Sequence, residues 1–185
     1  MEEKRKLIIG LVGETGSGKD TVAKYLNEKY GAKLMRFADP IKETLNIFFD
    51  KSSKQDQQWL FTEFKKRFGG NVLGMALRKK IERNDGLIVV NGLRMLEDYG
   101  FIKSFSDSVI LYITADQKLR WERVAGRGEK SDDNIDLEKF QEIERAETEI
   151  HIPELGSRAE FVIKNEKDLA YLLSETDRVM GKIMQ

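Results

Sequence analysis

Five short apolar runs alternate with helical patterns along this chain, and that alternation limits its fold more than any other feature. LIIGLVG (Leu7 to Gly13), AKLMRFA (Ala32 to Ala38), GLIVVNG (Gly86 to Gly92), SVILYIT (Ser108 to Thr114) and EFVIKN (Glu160 to Asn165) read as strands. The nearly continuous apolar content of LIIGLVG, and of GLIVVNG likewise, is that of strands covered on both faces. Helical patterns fill the gaps: Gly18 to Gly31, a segment opened by Asp39-Pro40, and residues 54–84 as one or two helices interrupted near Gly69-Gly70. Further helices are read from Ala115, over 136–150, and in the tail from Lys167, with a loop from Gly126 to Asn134. This order predicts an α/β fold: a five-stranded, mostly parallel sheet between helical layers, with its ligand at the C-terminal strand ends. The 185 residues suit a single domain.

Composition narrows the function classes. Lys+Arg and Asp+Glu both number 32, so no global field draws the chain to nucleic acid or to an anionic membrane. Cysteine is absent, which removes disulfides and thiolate metal sites, and the one histidine, His151, reads as a helix-end residue rather than a catalyst. The N-terminal apolar run is too short for a signal peptide or a membrane span, so the expected location is cytoplasmic. Nothing in the sequence sets the oligomeric state.

GLVGETGSGKDT (Gly10 to Thr21) joins the first strand to the first helix. Glycines there let successive N–H groups turn inward around an anion, and the following helix adds the positive end of its dipole. Gly13, Glu14, Thr15, Gly16, Ser17, Gly18 and Lys19 fit a loop that cradles polyphosphate, with Lys19 reaching the outer phosphates. The hydroxyl usual after the lysine is replaced by Asp20, and Thr21 follows one step late. A carboxylate facing a triphosphate needs a divalent cation between them, which makes Asp20 and Thr21 the metal-site candidates. The alternative is that Asp20 points away and only favours the helix dipole.

GETGSGKDTVAKYL with FADPIKETLNIFF resembles the P-loop nucleotide kinases, the deoxynucleoside monophosphate kinases above all. VVNGLR and AEFVIKNEKDLAYLL are similar to dephospho-coenzyme A kinase and its relatives. The resemblance implies a three-layer P-loop NTPase fold with a helical lid at about 120–145, an acceptor-binding helical region at about 39–85, and ATP and Mg2+ as cofactors. By the same resemblance Asp39 orients or deprotonates the acceptor, beside its plain reading as a helix cap, Arg94 forks onto an acceptor phosphate, and Asn165 lies near the donor base. Arg36, in the strand before Asp39, is a substrate-binding candidate or a surface charge. Arg120, Arg123 and Arg127 share one helical face, and the resemblance makes Arg123 and Arg127 lid residues that stabilise charge in transfer, with Arg145 a further candidate. Asn91 departs from the pattern, because relatives carry an aspartate there that holds magnesium through water. Trp59, Phe61, Phe64 and Phe68 read as core or acceptor-pocket wall.

The resulting expectation is ATP-dependent phosphoryl transfer to a (deoxy)nucleoside monophosphate, with small nucleotides as the only partners. Three alternatives stay open: dephospho-coenzyme A kinase, with Asp39 as base; a nucleotide-dependent switch that hydrolyses without an acceptor; and a degenerate kinase serving as a binding module, for which Asn91 is the reason.

Overall fold

The computed structural model describes residues 6–126, 136–146 and 149–185. In chain order its elements are β1 (Leu7–Val12), α1 (Lys19–Tyr30), β2 (Lys33–Met35), α2 (Asp39–Phe48), α3 (Lys54–Phe68), α4 (Val72–Glu82) and β3 (Leu87–Leu93). These are followed by α5 (Leu96–Lys103), β4 (Ser108–Thr114), α6 (Gln117–Ala125), α7 (Leu137–Glu144), α8 (Ile152–Ser157), β5 (Phe161–Lys164) and α9 (Leu169–Ile183).

The five strands form one sheet in the order β2-β3-β1-β4-β5, and every pairing is parallel. β1 is buried along its whole length, and successive side chains go to opposite faces. Leu7, Ile9 and Leu11 pack with Val22 and Leu26 of α1 and with Leu172, Val179 and Met180 of α9. Ile8 and Val12 pack on the other face with Leu77 and Ile81 of α4, Ile102 of α5 and Leu155 of α8. Burial on that scale, at about 25 cal/mol per Å² of apolar surface, is what holds the three layers together. Because β3 and β4 flank β1 on opposite sides, the connections diverge at its C-terminal end. That switch point is where the fold leaves a crevice, and there the glycine loop sits.

Several expectations from the sequence change. β2 stops at Met35 rather than running to Ala38, because the Asp39 carboxylate takes the Arg36 N–H at 2.7 Å and the Asp39 N–H bonds the Arg36 carbonyl at 3.1 Å. This tight turn replaces the ladder, so Arg36 and Asp39 follow the strand instead of ending it. Asp39 is the first residue of α2, with Ala38 at the cap position. Residues 54–84 form two helices, divided at Gly69. The charged helix expected over 136–150 ends at Glu144. α5 and α8 were not anticipated. The loop expected over Gly126 to Asn134, and Arg127 with it, lies almost wholly outside the described residues. No described helix is long and apolar enough to cross a membrane.

Candidate active site

The glycine loop is clamped from three directions. Gly16 and Gly18 have φ of 80° and 100°, where L side chains are strained. A Cβ on Gly16 would run into the Arg120 carbonyl, and one on Gly18 into the Asn165 amide. Asn165, at the end of β5, donates its side-chain N–H to the Ser17 carbonyl at 2.8 Å, while its own backbone N–H bonds the Thr114 carbonyl at 2.7 Å. Arg120 is buried: Nε donates to the Ala115 carbonyl at 2.9 Å, Nη1 to the Thr15 carbonyl at 3.3 Å, and the guanidinium pairs with Glu144. The third clamp is Glu14, which accepts from the Tyr112 hydroxyl and from Thr114 Oγ1. Burial, and then the bond to Glu14, push the Tyr112 hydroxyl up to about 12. It therefore stays a donor across the physiological range. Arg120 is thus a buried strut of the loop, whereas Arg123, one turn on along the same face, borders a recess.

Two recesses open on either side of the loop. The first, of about 510 Å³, is lined by Lys19, Asp20, Arg36 and Arg94, with Phe37, Leu73 and Met95 as its apolar wall. The second, of about 420 Å³, is lined by Thr21, Arg123 and Asn165, with Lys167 and Leu172 beside them. Gly16 and Gly18 border both. Asp20 and Thr21, adjacent in sequence, therefore face different recesses. Arg123 donates to the Lys167 carbonyl at 3.3 Å across the second one.

In the first recess the charges are interleaved. Asp20 lies 4.0 Å from Lys19 Nζ and 4.0 Å from Arg36 Nη2, and it accepts a 2.7 Å hydrogen bond from Asn91 Nδ2. The last contact follows from strand pairing. Leu11 is opposite Asn91, but Val12 is opposite Leu93, so Gly92 is an extra residue and β3 bulges just where it meets the loop. The bulge is followed by Arg94, whose backbone N–H, with that of Met95, is taken by Asp98 Oδ2 at 2.9 and 3.0 Å. The Arg94 guanidinium pairs with Glu149. Glu149 is 9% exposed; burial pushes its carboxyl up, while Arg94 and, through space, Lys19 hold it down.

Among the expected site residues, the structure gathers Lys19, Asp20, Arg36 and Arg94 in one recess and Thr21, Arg123 and Asn165 in the other. Asp39 lines neither, its carboxylate being turned back on Arg36. Arg145 caps α7 and borders a separate cleft with Arg120 and Glu149. The aromatics of α3 are not core: Trp59 is 63% and Phe68 62% exposed, and α3 buries no residue. Glu149 and Asp98 were missed. Asp98 carries a weak signal, an acid in the first turn of a helix after Met95. Glu149 carries none, because it is 55 positions from Arg94 and only folding joins them.

The model of the deoxynucleotide monophosphate kinase family matches residues 6–87, from β1 to the start of β3, and so stops short of Asn91 and Arg94. Relatives along the whole chain carry the name UPF0200 protein. One from Methanocaldococcus jannaschii is 25% identical over 96% of this chain and 91% of its own. Another, from Pyrococcus horikoshii, is 27% identical over 96% and 98%. Among solved structures, TT1252 from Thermus thermophilus superposes with a TM-score of 0.64 at 21% identity, covering 97% of this chain and 98% of its own. Shikimate kinase from Acinetobacter baumannii gives 0.58 at 15% identity, covering 97% and 93%. The fold is that of the P-loop kinases. Its resemblance to the nucleotide kinases rests on the segment that carries the loop.

A P-loop kinase fold implies ATP and a divalent cation, and the residues present fit both. Among the described residues no cluster of three carboxylate, imidazole or thiol groups could cage a metal alone. A cation beside Asp20 would complete its shell with water and phosphate oxygens, as magnesium commonly does. Two buried atoms lack partners at the right places: Ser17 Oγ inside the loop and Asn91 Oδ1 beside Asp20.

Proposed function

We propose that this P-loop protein transfers a phosphoryl group from ATP to the phosphate of a small nucleotide, a nucleoside or deoxynucleoside monophosphate. The observation that carries this reading is the pair of recesses sharing one glycine loop, one cation-lined and one bordered by Arg123 and Asn165. A donor lying with its base end in the second recess and its phosphates along the loop would present its last phosphate to the first. Lys19 and the loop N–H groups hold the outer donor phosphates. Arg94, with Arg36, takes the acceptor phosphate, since a guanidinium matches two phosphate oxygens at once. Asp20 is placed to hold Mg2+, which supplies charge neutralisation when bound, and Thr21 stands on the donor side. The helices α2 to α4 form the acceptor side, and α6 with α7 the lid side.

The placement of Asp39 favours a phosphate acceptor over a hydroxyl. A ribose hydroxyl must lose a proton as it attacks and needs a base. A monophosphate is already ionised. Asp39 turns its carboxylate to the Arg36 N–H, which makes it a positioning residue for Arg36. The test is a transfer screen from ATP to nucleoside monophosphates, deoxynucleotides and dephospho-coenzyme A. Transfer to monophosphates is expected; transfer confined to dephospho-coenzyme A, or hydrolysis indifferent to every acceptor, would overturn the reading.

Arg123→Ala checks the lid side. The side chain stabilises charge near the donor, so turnover should fall by about tenfold or more. Its loss also removes the bond to the Lys167 carbonyl, worth about 1 kcal/mol, so a modest drop in melting temperature should accompany the larger loss of turnover. Normal turnover in this variant would make Arg123 a structural link to the Lys167 carbonyl rather than a lid residue.

A further inference from the structure

Asp20 and Asn91 meet across the crevice between the start of α1 and the end of β3, and the contact has a fixed polarity. Asn91 Nδ2 donates to Asp20 Oδ1 at 2.7 Å. Turned over, the amide would set its carbonyl oxygen against a carboxylate oxygen, two acceptors at hydrogen-bond distance with no proton between them. The carboxylate therefore dictates which way the amide faces. That leaves Asn91 Oδ1, on a residue only 5% exposed, buried with no donor. Buried polar atoms are nearly always paired, so an orphan bordering a ligand recess marks a place where a donor arrives with the ligand. Three features restrict what that donor is. The neighbouring group is a carboxylate, the recess is one in which phosphates are expected, and an amide carbonyl is a hard, neutral oxygen. A water bound to a divalent cation satisfies all three, since its protons are strong donors and its metal is attracted to Asp20.

We infer that Asp20 and Asn91 are one divided cation site, in which the carboxylate supplies the charge and the amide both aims it and receives a metal-bound water. Asn91 is then a positioning residue rather than a lost ligand. The inference rests on the proposed phosphate-binding role of the loop, and it makes a demand that role does not. The site needs one carboxylate and one amide, but not in that order. Exchanging them, Asp20→Asn with Asn91→Asp, keeps the charge, keeps the hydrogen bond with its donor reversed, and keeps a neutral carbonyl oxygen. Either change alone does not: Asp20→Asn leaves two amides and no charge, and Asn91→Asp sets two carboxylates in contact.

The experiment reads Mn2+ binding by electron paramagnetic resonance in the presence of ADP, alongside ADP binding in excess chelator. Asp20→Asn should weaken Mn2+ by about tenfold or more, the scale of a disturbed metal shell, while chelated ADP binds no more weakly than to wild type. The exchanged double variant should return Mn2+ affinity to within about threefold of wild type. Asp20 has 57% of its side chain exposed, so its replacement does not threaten the fold. Should Asn91→Asp not fold, Asn91→Ala replaces it: it removes both amide contacts and adds no charge, and Mn2+ affinity should again fall with chelated ADP unaffected. Unchanged Mn2+ binding in Asp20→Asn, a double variant no better than Asp20→Asn, or unchanged Mn2+ binding in Asn91→Ala would each overturn the inference. Because the readout is metal binding, its failure beside normal transfer by the wild type would leave the kinase reading standing. An intact exchange beside no transfer to any acceptor would sink that reading alone.

Discussion

Lys19→Ala is expected to lower phosphoryl transfer by about two orders of magnitude or more, with the fold unchanged. The side chain is 15% exposed, lines the cation-rich recess, and lies at the first residue of α1, where helix dipole and ammonium act on the same anion. Partial exclusion of water lowers the local dielectric and strengthens what the charge does to a migrating phosphoryl group. The loop is held by Asn165, Arg120 and Glu14, whose hydrogen bonds the change leaves in place. Chelated ADP should consequently still bind. Transfer near the wild-type rate, measured with the preferred acceptor from the screen, would place the chemistry elsewhere.

Arg94→Ala should strike both activity and stability. On the proposed function the guanidinium is the fork for the acceptor phosphate, so its loss should lower transfer at low acceptor concentration by about a hundredfold, the effect of losing one charge-assisted bidentate contact. The stability effect comes from the partner. Glu149 is 9% exposed and is left without its cation. A buried charge that loses its partner costs several kcal/mol, but Arg94 is 44% exposed and water can enter its place, so about 1–2 kcal/mol is expected. The pH dependence has a definite sign. Burial already raises the folded-state value of Glu149, with Arg94 opposing it. Without Arg94 the upward shift grows. A raised carboxyl gives stability that is present in acid and lost as pH climbs through its folded value. Melting curves of variant and wild type should therefore converge at low pH and separate toward neutrality. Parallel curves would mean that the pair contributes nothing to the fold.

The sheet was legible because buried strands announce themselves. LIIGLVG and SVILYIT could hardly lie anywhere but inside, and the strands at both sites match the expected runs closely. What failed was decided by side chains acting on backbone. β2 lost its last residues to a turn that the Asp39 carboxylate makes with Arg36, whereas Arg-Phe-Ala-Asp reads as strand by composition alone. α5 hid behind Gly100 in an eight-residue stretch, and α8, at six residues, is too short for helical periodicity to show. The meeting of Asp20 with Asn91 could be anticipated, since both stand at the ends of neighbouring elements; its polarity could not. Arg120 shows the limit of helical-wheel reasoning, for sharing a face with Arg123 did not prevent it from turning into the protein.

α3 has a consequence for motion. A helix of fifteen residues with none buried gains little from tertiary packing, and such helices are marginal on their own in water. It rests on α2 and α4, which send Ile41, Leu45, Leu77 and Ile81 into the core. Lifting α3 away uncovers little apolar surface, so the penalty for displacing it is small compared with that for moving α1 or α9. Amide hydrogen exchange should resolve this as two tiers, with α3 exchanging through local opening long before β1, β3 and β4, whose amides wait for global unfolding. α3 would thus move while the glycine loop, held by Asn165, Arg120 and Glu14, stays rigid.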